Sequence, residues 1–406
     1  MRGSYVRAAA LLSGACLTIA IAACANDQAA DPASPDTTDV DAGSDATTTL
    51  PGTDGGSDSS VKDSGTDSAD DAQSDAAPVE KKCSDEGWCH TDVPDTQFLK
   101  DVWGDGQGAV WSVSLEGNIL RWDGKAWTIA RAGTSPLYAI WGSSPTDIWV
   151  GGDAGLLHGT GASSTALTWT QIPLDVPIRT VWGTSATDIW TGGYTTLTYR
   201  SYNGRLYHFT GGDPNVSASW VVDPTAPTTN GYDRVWGTSS TDFWIGGPQG
   251  IVATSDPYGA YAAHHVSDGN GGFTWRKEYF NSYLFLGGTT VSPTQTILLG
   301  FGPPESYVTG ASADNGATFA WTLHDGFGVG VAHRAVWSSS PNDIYMASIN
   351  GWLRHFDGTK WSVSHIATQN VIPITNDFAA IWGTGPDNVW VVGQDIALHK
   401  GPVNSL

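Results

Sequence analysis

Charged side chains are scarce in this chain: Lys, Arg, Asp and Glu make up 15% of its 406 residues, with 19 basic against 41 acidic. The formal net charge of -22 argues against a nucleic-acid-binding protein, which needs a basic face. After about the first two dozen residues, no stretch has the apolar spacing of an amphipathic helix. These absences favour a fold held by backbone turns and aromatic packing, in agreement with 50 glycines and 20 tryptophans.

The common catalytic motifs are also missing. The chain has no G-x-S-x-G elbow, no H-E-x-x-H and no phosphate-binding glycine loop. His264 and His265 have no spaced partners, so a pair in a loop is a better interpretation than a metal site. A site built from Cys83, Cys89 and His90 lacks an evident fourth ligand. The sequence therefore predicts no metal and no cofactor, and it argues against an enzyme without excluding one.

The amino end, residues 1–23, has the layout of a secretory signal peptide. Arg2 and Arg7 precede an apolar run over residues 8–23, which is short for a membrane span. The run carries no further charge. We therefore expect residues 1–23 to direct export and to be removed.

The residues around the expected cleavage point add a membrane anchor. The sequence Ile21-Ala22-Ala23-Cys24 resembles the lipobox of bacterial lipoproteins, and the resemblance implies cleavage before Cys24 and a diacylglycerol on its sulfur. Such acyl chains would hold the protein on a membrane effectively permanently. An ordinary secretory signal with an incidental cysteine is the alternative. By the sorting pattern of these lipoproteins, Ala25 favours the outer membrane or cell surface.

Residues 24–82 form a linker rich in Asp, Ser, Thr, Ala, Gly and Pro, with hardly an aromatic or branched aliphatic residue. Such a segment cannot bury enough apolar surface to offset the entropy of ordering it, so a disordered, solvated tether is predicted. A calcium site is the rival interpretation, but the acidic residues lack the regular spacing of a calcium loop. After loss of Cys16 and lipidation of Cys24, Cys83 and Cys89 remain, and a disulfide between them would staple the start of the folded domain.

The rest of the chain, residues 83–406, repeats one unit about every 40 to 50 residues, which is typical of a β-propeller. Run A reads x-x-Val/Ile-Trp-Gly, and run B follows a polar turn that ends in Asp. Run C reads Gly-x-Leu-x-His/Arg, and run D opens with Trp. Run A occurs at Trp103, Trp141, Trp182, Trp236, Leu286, Trp337 and Trp382. Run D occurs at Trp88, Trp127, Trp169, Trp220, Trp275, Trp321 and Trp361.

The order of these runs predicts how the ring closes. The first D strand, at Trp88, precedes every A run, while the last A, B and C runs, 381–400, have no D run after them. We therefore predict an all-β, seven-bladed propeller of four-stranded blades, in which the amino-terminal strand completes the last blade. The periodic tryptophans are expected to be packed between blades. The Asp before run B is expected to accept backbone N–H groups in an Asx-type turn, at Asp147, Asp188, Asp242, Asp343 and Asp387.

Two families of propellers resemble these repeats. Residues 101–127 are similar to a tectonin repeat of lectin propellers, and Ser312 to Trp321 resembles the Asp box, S-x-D-x-G-x-x-x-W, of BNR-type propellers, which include sialidases. Residues 267–275 resemble a poorer Asp box. The repeat as a whole is also similar to bacterial propeller lipoproteins. These resemblances imply a propeller fold and leave the ligand open.

Basic residues at the entrance to run A are the best candidates for a binding site. Lys100, Arg179, Arg234 and Arg334 come from different blades and should lie near one rim of the central channel, where they could converge on an anion. Pairing with carboxylates is the alternative, with Asp175, Asp233 and Asp325 as candidates. Three segments, 194–204, 257–272 and 302–315, are longer than their equivalents and are expected to be loops that carry binding.

The function expected from these features is a membrane-anchored binding module of the bacterial cell envelope. It would be a monomer that binds a glycan or a protein partner and carries out no chemistry. A sialidase-type glycosidase is one alternative, although no Tyr–Glu pair is evident and Glu is scarce in the blades. An assembly factor for an envelope complex is another.

Overall fold

The computed structural model describes residues 83–250, 259–278, 284–301, 306–325, 333–364, 366 and 374–401. The chain divides into two units, Met1–Ser74 and Asp75–Leu406, and these residues all belong to the second. The expected signal peptide, the lipidation site Cys24 and the linker 24–82 lie outside them. Within the described part, no helix has the length and apolar character needed to cross a membrane.

The described residues form seven antiparallel four-stranded sheets, which confirms the predicted propeller. The first strand, β1 (Trp88–His90), belongs to the last blade. Blade 1 contains β2 (Leu99–Gly104), β3 (Val110–Ser114), β4 (Ile119–Trp122) and β5 (Trp127–Arg131). Blade 2 contains β6 (Leu137–Ser144), β7 (Asp147–Gly152), β8 (Gly155–Gly161) and β9 (Leu167–Ile172). Blade 3 contains β10 (Ile178–Ser185), β11 (Asp188–Thr198), β12 (Ser201–Phe209) and β13 (Trp220–Val222), with a 3-10 turn at Ser217–Ser219.

The remaining blades follow the same order. Blade 4 contains β14 (Arg234–Ser239), β15 (Asp242–Pro248), β16 (Ala260–Ser267) and β17 (Phe273–Glu278). Blade 5 contains β18 (Leu284–Ser292), β19 (Gln295–Phe301), β20 (Ser306–Ala311) and β21 (Ala320–Asp325). Blade 6 contains β22 (His333–Ser340), β23 (Asp343–Ser348), β24 (Leu353–Phe356) and β25 (Trp361–Ser364). Blade 7 contains β26 (Phe378–Gly385), β27 (Asn388–Gly393) and β28 (Ile396–Lys400), and β1 completes it.

The ring closes as the order of runs predicts. Strand β1 pairs antiparallel with β28, and Trp88 lies opposite Lys400. The innermost strands contact each other around the circle, and β26 of the last blade contacts β2 of the first. Cys83 and Cys89 form a disulfide at this closing strand. The edge that an open ring would expose is therefore covered by the amino end of the same domain.

The Trp-Gly pair of run A has a steric cause. An added Cβ on Gly142 would lie 2.7 Å from the ring of Trp103 in the preceding blade, and one on Gly183 would lie 2.8 Å from that of Trp141. The indole of one blade thus occupies the space that a side chain would need on the next blade. Across the described residues the periodic tryptophans are buried or half-buried, as predicted for inter-blade packing. Trp352, which is not periodic, is 42% exposed.

Blade 5 departs from the predicted register. At the A–B corner of blade 5, Ser292 pairs with Gln295, as Ser144 pairs with Asp147 in blade 2. When the two corners are aligned, Thr289 corresponds to Trp141 and Ile297 to Trp149. Thr289 and Ile297 therefore face each other where other blades have two aromatic rings. The assignment of Leu286 to the tryptophan position is therefore wrong by three residues. The Leu-Gly pair at 286–287 resembles the Trp-Gly pair of the other blades in sequence. The pairing at the A–B corner shows that it does not occupy the same position in the strand.

The Asp before run B has a different role from the predicted Asx turn. In four blades this carboxylate accepts a hydrogen bond from Nε2 of a histidine on strand C, at 2.6 to 2.8 Å, and another from a Ser or Thr hydroxyl at the end of strand A. The histidine also stacks on the strand B aromatic ring. The ring centroids of His158 and Trp149, for example, are 3.7 Å apart. The four Asp–His pairs are Asp147–His158, Asp188–His208, Asp242–His264 and Asp343–His355.

In blade 7 the equivalent residue is Asn388, not Asp387 as predicted. Asn388 Oδ1 lies 2.9 Å from Nε2 of His399, and its Nδ2 donates to Thr384 at 2.8 Å. The same interaction thus persists with an amide in place of the carboxylate. Because it repeats around the ring, it belongs to the scaffold and not to a single site.

His264 and His265 lie within strand β16, so the prediction of a loop pair is wrong. His264 is 3% exposed and is held by Asp242 and Trp244. His265 is 7% exposed and stacks on Phe273, with ring centroids 4.5 Å apart. Burial lowers the pKa of His265 to about 4, and it does the same for His333 and His399.

These buried histidines predict acid sensitivity. Below about pH 6.5 the unfolded chain binds protons on His265, His333 and His399, while the folded chain does not until about pH 4, so the free energy of unfolding should fall across this interval. The loss is on the order of 1 to 3 kcal/mol for each histidine. Urea titrations at several pH values measure it. In His265→Phe, the free energy of unfolding should depend less on pH. Because the other titratable groups are the same in both proteins, comparison with the natural chain removes their contributions. An unchanged profile would contradict the assignment.

Candidate functional site

A cavity of about 580 Å³ opens where the innermost strands of all seven blades begin. We call it the mouth. It is lined by Phe98, Lys100, Leu115, Tyr138, Arg179, Tyr194, Asp233, Arg234, Phe285, Leu286, Arg334, Asp377, Phe378 and Ala379. The four basic residues that the sequence singled out, Lys100, Arg179, Arg234 and Arg334, are all among them.

The repeat geometry explains this convergence. Three residues before the A-strand tryptophan, or its equivalent Thr289, each blade contributes one side chain to the mouth: Lys100, Tyr138, Arg179, Asp233, Leu286, Arg334 and Ala379. Arg234 lies one residue further along and also lines a second cavity of about 400 Å³ deeper in the channel. The mouth is therefore lined by the same strand A position of every blade. The backbone at this position repeats, while the side chain varies from blade to blade.

Arg179 is held in place by its neighbours. Its guanidinium stacks on the ring of Tyr138, 3.8 Å from the centroid, and lies 3.7 Å from a carboxylate oxygen of Asp153. The Tyr138 hydroxyl donates to the same carboxylate at 2.9 Å. The Nε–H of Arg179 is buried and has no acceptor in the described part of the chain. A guanidinium held in one orientation in this way is preorganised for an incoming anion.

Within the described residues, the carboxylates proposed as alternative partners form no ion pair with the four cations, although Asp233 lines the same cavity. Arg179 pairs with Asp153 and not with Asp175, whose N–H donates to the Tyr207 hydroxyl. Between the described residues, Lys100, Arg234 and Arg334 make no ion pair with a carboxylate. The side chain of Asp325 lies outside the described residues.

Four cations and two carboxylates, Asp233 and Asp377, line the mouth. Burial, followed by the positive charges of Arg234 and Arg334, lowers the pKa of Lys100 to about 8. Burial also raises the pKa of Asp233 and of Asp101, although the positive charge of Arg234 acts in the opposite direction. The repulsion between cations that lowers the pKa of Lys100 is relieved when an anionic group binds beside them. The arrangement favours binding of an anionic group.

Asp101 has a structural role beside the mouth. One of its carboxylate oxygens accepts the N–H of Val102 at 3.0 Å, and the other accepts the N–H of Ile140 in the next blade at 2.9 Å. It thus ties blade 1 to blade 2. The hydroxyl of Thr180 does the same between blades 3 and 4 by accepting the N–H of Val235 at 2.8 Å.

A hairpin from blade 3 rises next to the mouth, where a loop over 194–204 was predicted. Strands β11 and β12 stay paired out to Thr198 and Ser201, with Tyr194 opposite Gly204. Leu197 and Tyr199 at its tip are 61% and 84% exposed. Because strands A and B are antiparallel, this B–C hairpin lies at the rim where strand A begins. The mouth is therefore flanked by an exposed apolar tip.

Sequence reasoning missed Tyr138 and Tyr194 and assigned Asp233 only as a partner of arginine. Burial, followed by the negative charge of Asp233, raises the pKa of Tyr194. Tyr138 could have been found by aligning the third residue before each A-strand tryptophan. Tyr194 could not, because it depends on the length of one hairpin.

The Asp box lies at the opposite rim and builds a turn. Hydrogen bonds from Thr318 and Ser312 lower the pKa of Asp314 to about 2. The Ser312 hydroxyl accepts the N–H of Gly316 at 2.8 Å, and Phe319 packs edge-on against Trp244 of blade 4. In the poorer copy, Asp268 organises the turn instead. Within the described residues no group of three or more His, Cys, Asp or Glu could hold a metal ion.

Comparisons with known proteins identify the fold alone. No protein-family model and no curated protein matches the sequence. Among solved structures, YCF48 bound to a D1 peptide is similar over 80% of this chain and 99% of its own, at 15% identity and a TM-score of 0.56. YCF48 from Cyanidioschyzon merolae is similar over 78% of this chain and 100% of its own, at 14% identity and a TM-score of 0.56.

A third similar structure is an extracellular domain. It is the extracellular domain of the putative hybrid two-component system BT4673 from B. thetaiotaomicron, at 12% identity and a TM-score of 0.56. The match covers 77% of this chain but 39% of that one. At such identities the likeness supports a β-propeller and carries no activity over.

Proposed function

We propose that this protein is a non-catalytic binding module whose mouth holds a carboxylate-bearing segment of a protein partner. We further propose that Cys24 anchors the monomer to the bacterial outer membrane or cell surface, with the linker 24–82 as a tether. The lipobox-like sequence supports the anchor, and the Cys83–Cys89 disulfide fits an oxidising compartment outside the cytoplasm. The anchor and the binding site are separate claims with separate tests.

One observation carries the binding proposal: four cations from four blades line one cavity, and three of them make no ion pair with a described carboxylate. Two carboxylates, Asp233 and Asp377, line the same cavity, so the four cations outnumber them. Carboxylates match guanidinium groups in shape as well as charge, because two parallel N–H···O bonds can form. An acidic or carboxy-terminal segment is therefore the expected ligand class.

Two features of the structure and one comparison bear on the choice between a protein ligand and a glycan. The periodic tryptophans are packed between blades and cannot stack on a sugar. The exposed Leu197 and Tyr199 beside the mouth offer apolar contacts to a peptide. The similar fold of YCF48, which was solved with a bound D1 peptide, is a precedent for a peptide on such a propeller.

Short synthetic acidic peptides test the proposal on the full chain. Each is compared with a counterpart in which Asn and Gln replace Asp and Glu, and with a version whose carboxy terminus is amidated. We expect saturable binding of the acidic peptides that weakens as salt rises from about 0.05 M to about 0.5 M. Equal binding of the neutral counterparts would contradict it. Retention on a glycan array without peptide binding would favour a lectin, and one stoichiometric partner in capture experiments would favour an assembly factor.

The pKa of Lys100 predicts how binding depends on pH. A bound carboxylate favours the protonated amine, so above the free pKa of about 8 each binding event must take up a proton and affinity should fall as pH rises to about 10. Lys100→Arg should give a flat profile over this interval, because guanidinium stays charged. Lys100→Met should weaken binding near neutral pH and also flatten the profile. Calorimetric titrations across the pH range measure both effects, and an unchanged slope in Lys100→Arg would refute the assignment.

The glycosidase alternative gains one feature from the structure. Tyr194 with its partner Asp233 lies beside Arg179, Arg234 and Arg334, so a tyrosine–carboxylate pair among arginines is present after all. However, the raised pKa of Tyr194 works against a nucleophilic phenolate. Release of a reporter from sialic acid conjugates, abolished by Arg334→Ala and by Tyr194→Phe, would establish the enzyme. Peptide binding without turnover would exclude it for those substrates.

A further inference from the structure

Strand B of blade 3 is longer than its equivalents. Strand β11 has 11 residues, whereas strand B of the other blades has 5 to 7 in the described part of the chain. Its neighbour β10 begins at Ile178, which lies opposite Gly193, so residues 194–198 extend beyond the start of β10. Among the described strands, this extension pairs with β12 alone. Its other edge, on the side of β10, is unpaired.

The pairing with β12 shows which backbone groups lie on the unpaired edge. The N–H of Gly204 donates to the Thr228 carbonyl at 2.8 Å, so it points away from β11. Tyr194 and Gly204 are therefore a non-hydrogen-bonded pair, and in an antiparallel ladder such pairs alternate with hydrogen-bonded ones. Thr196 and Tyr202 form the next non-hydrogen-bonded pair. Thr196 thus directs both its N–H and its C=O away from β12.

This edge is open in the described part of the chain. No described residue forms a backbone hydrogen bond with Thr196 from the side of β10, and residues 195–198 are exposed. Proteins usually protect such an edge with a charge, a proline or a bulge. Residues 194–199 read Tyr-Thr-Thr-Leu-Thr-Tyr, with no charge and no proline, and most of them favour strands. The edge is therefore suited to accept another strand.

The edge faces the axis of the ring above the mouth. Strand β10 is the innermost strand of blade 3, and the unpaired edge lies on its side. At the base of the extension, Tyr194 lines the mouth, and the Arg179 guanidinium lies 5.9 Å from the centroid of its ring. At ~3.3 Å per residue, residues 194–198 offer an edge of about 16 Å. An extended chain laid along it has one end beside the cations of the mouth.

We propose that the carboxylate-bearing segment of the protein partner binds as an added β-strand along residues 194–198, with its carboxylate at Arg179. This inference rests on the proposed function and adds the conformation of the ligand. Backbone hydrogen bonds to Thr196 supply affinity that is independent of the ligand's side chains, while the cations of the mouth select an acidic ligand. Charge complementarity favours this occupant, because one acidic strand satisfies both the edge and the cations.

An N-methyl scan of a bound peptide tests this binding mode on the full chain. The probe is the acidic peptide that binds most tightly in the test of the proposed function, and each derivative carries one methyl group on a backbone nitrogen. Methylation at every second residue beside the edge should lower affinity at least about fivefold, because it removes a backbone hydrogen bond. Methylation at the residues between them should change affinity by less than about twofold.

Thr196→Pro tests the same edge from the side of the protein. Proline removes the N–H of residue 196, which β12 does not use, and should lower affinity for the peptide at least about fivefold. Thr196→Val is the matched control, because it keeps the N–H and favours a strand, and it should bind as the natural chain does. The N-methyl scan keeps the inference testable if proline disturbs the hairpin.

Four results would overturn strand addition. Peptide binding that responds equally to methylation at every position would refute it and leave the proposed function intact. Natural affinity in a Thr196→Pro variant that folds normally would do the same. A concentration-dependent dimer that Thr196→Pro abolishes would assign the edge to a second copy of this chain. If no acidic peptide binds at all, the proposed function fails, and this inference fails with it.

Discussion

Trp88→Ala should lower the free energy of unfolding by about 3 to 5 kcal/mol, the usual cost of removing a buried tryptophan. Trp88 is 1% exposed and packs edge-on against Tyr345, with ring centroids 5.9 Å apart. It also sits on the strand that pairs with β28 and closes the ring. The cavity would therefore open at the place where the circle is joined, and fraying there exposes the edge of blade 7.

Urea denaturation followed by circular dichroism measures this loss. Trp352→Ala is the matched control, because Trp352 is 42% exposed and its ring contacts Arg354 from 5.5 Å. That substitution should cost less than about 1 kcal/mol. Equal losses in the two variants would mean that ring closure contributes nothing special to stability.

Arg334→Met should lower affinity for an acidic peptide by about tenfold to hundredfold, which corresponds to loss of one hydrogen-bonded charge contact. Arg334 is exposed, lines the mouth and makes no ion pair within the described residues. Its positive charge also lowers the pKa of Lys100, so its removal relieves repulsion in the free protein. Stability should therefore stay the same or rise while binding is lost.

The control is another exposed cation away from the mouth. Lys125 lies in the turn between β4 and β5, and Lys125→Met should leave affinity within about twofold, because exposed charges at a distance are screened by salt. Calorimetry gives the affinities and thermal denaturation gives the stabilities. A peptide that binds Arg334→Met as tightly as the natural chain would place the site elsewhere.

The architecture could be predicted because each blade repeats it. Counting the D-strand tryptophans from Trp88 to Trp361 gave seven blades, and the surplus D strand at the amino end required closure on β28. The errors fall where the repeat degrades. Leu286 was aligned to a tryptophan position because its neighbour is glycine, although the corner at Ser292 sets the register of β18.

The candidate site could be predicted in part. Lys100, Arg179 and Arg334 converge because they occupy the same position of strand A in different blades, and Arg234 lies one residue further along. The repeat pattern in the sequence therefore places all four near one rim. The Asp147–His158 pair was missed because its members lie on different strands, and hydrogen bonds across strands leave no local pattern. Tyr194 was missed because a paired hairpin and a loop of the same length have similar composition.

Photo-crosslinking from the mouth tests the central claim most directly. A photoreactive phenylalanine analogue replaces Tyr138 in one variant and Phe273 in another, and each is irradiated with a bound acidic peptide. Tyr138 lines the mouth, whereas Phe273 is 39% exposed and begins strand β17, at the rim opposite the mouth. We predict peptide adducts from position 138 and none above background from position 273. Adducts from position 273 alone, with the peptide still bound, would show that the cationic mouth is not the binding site.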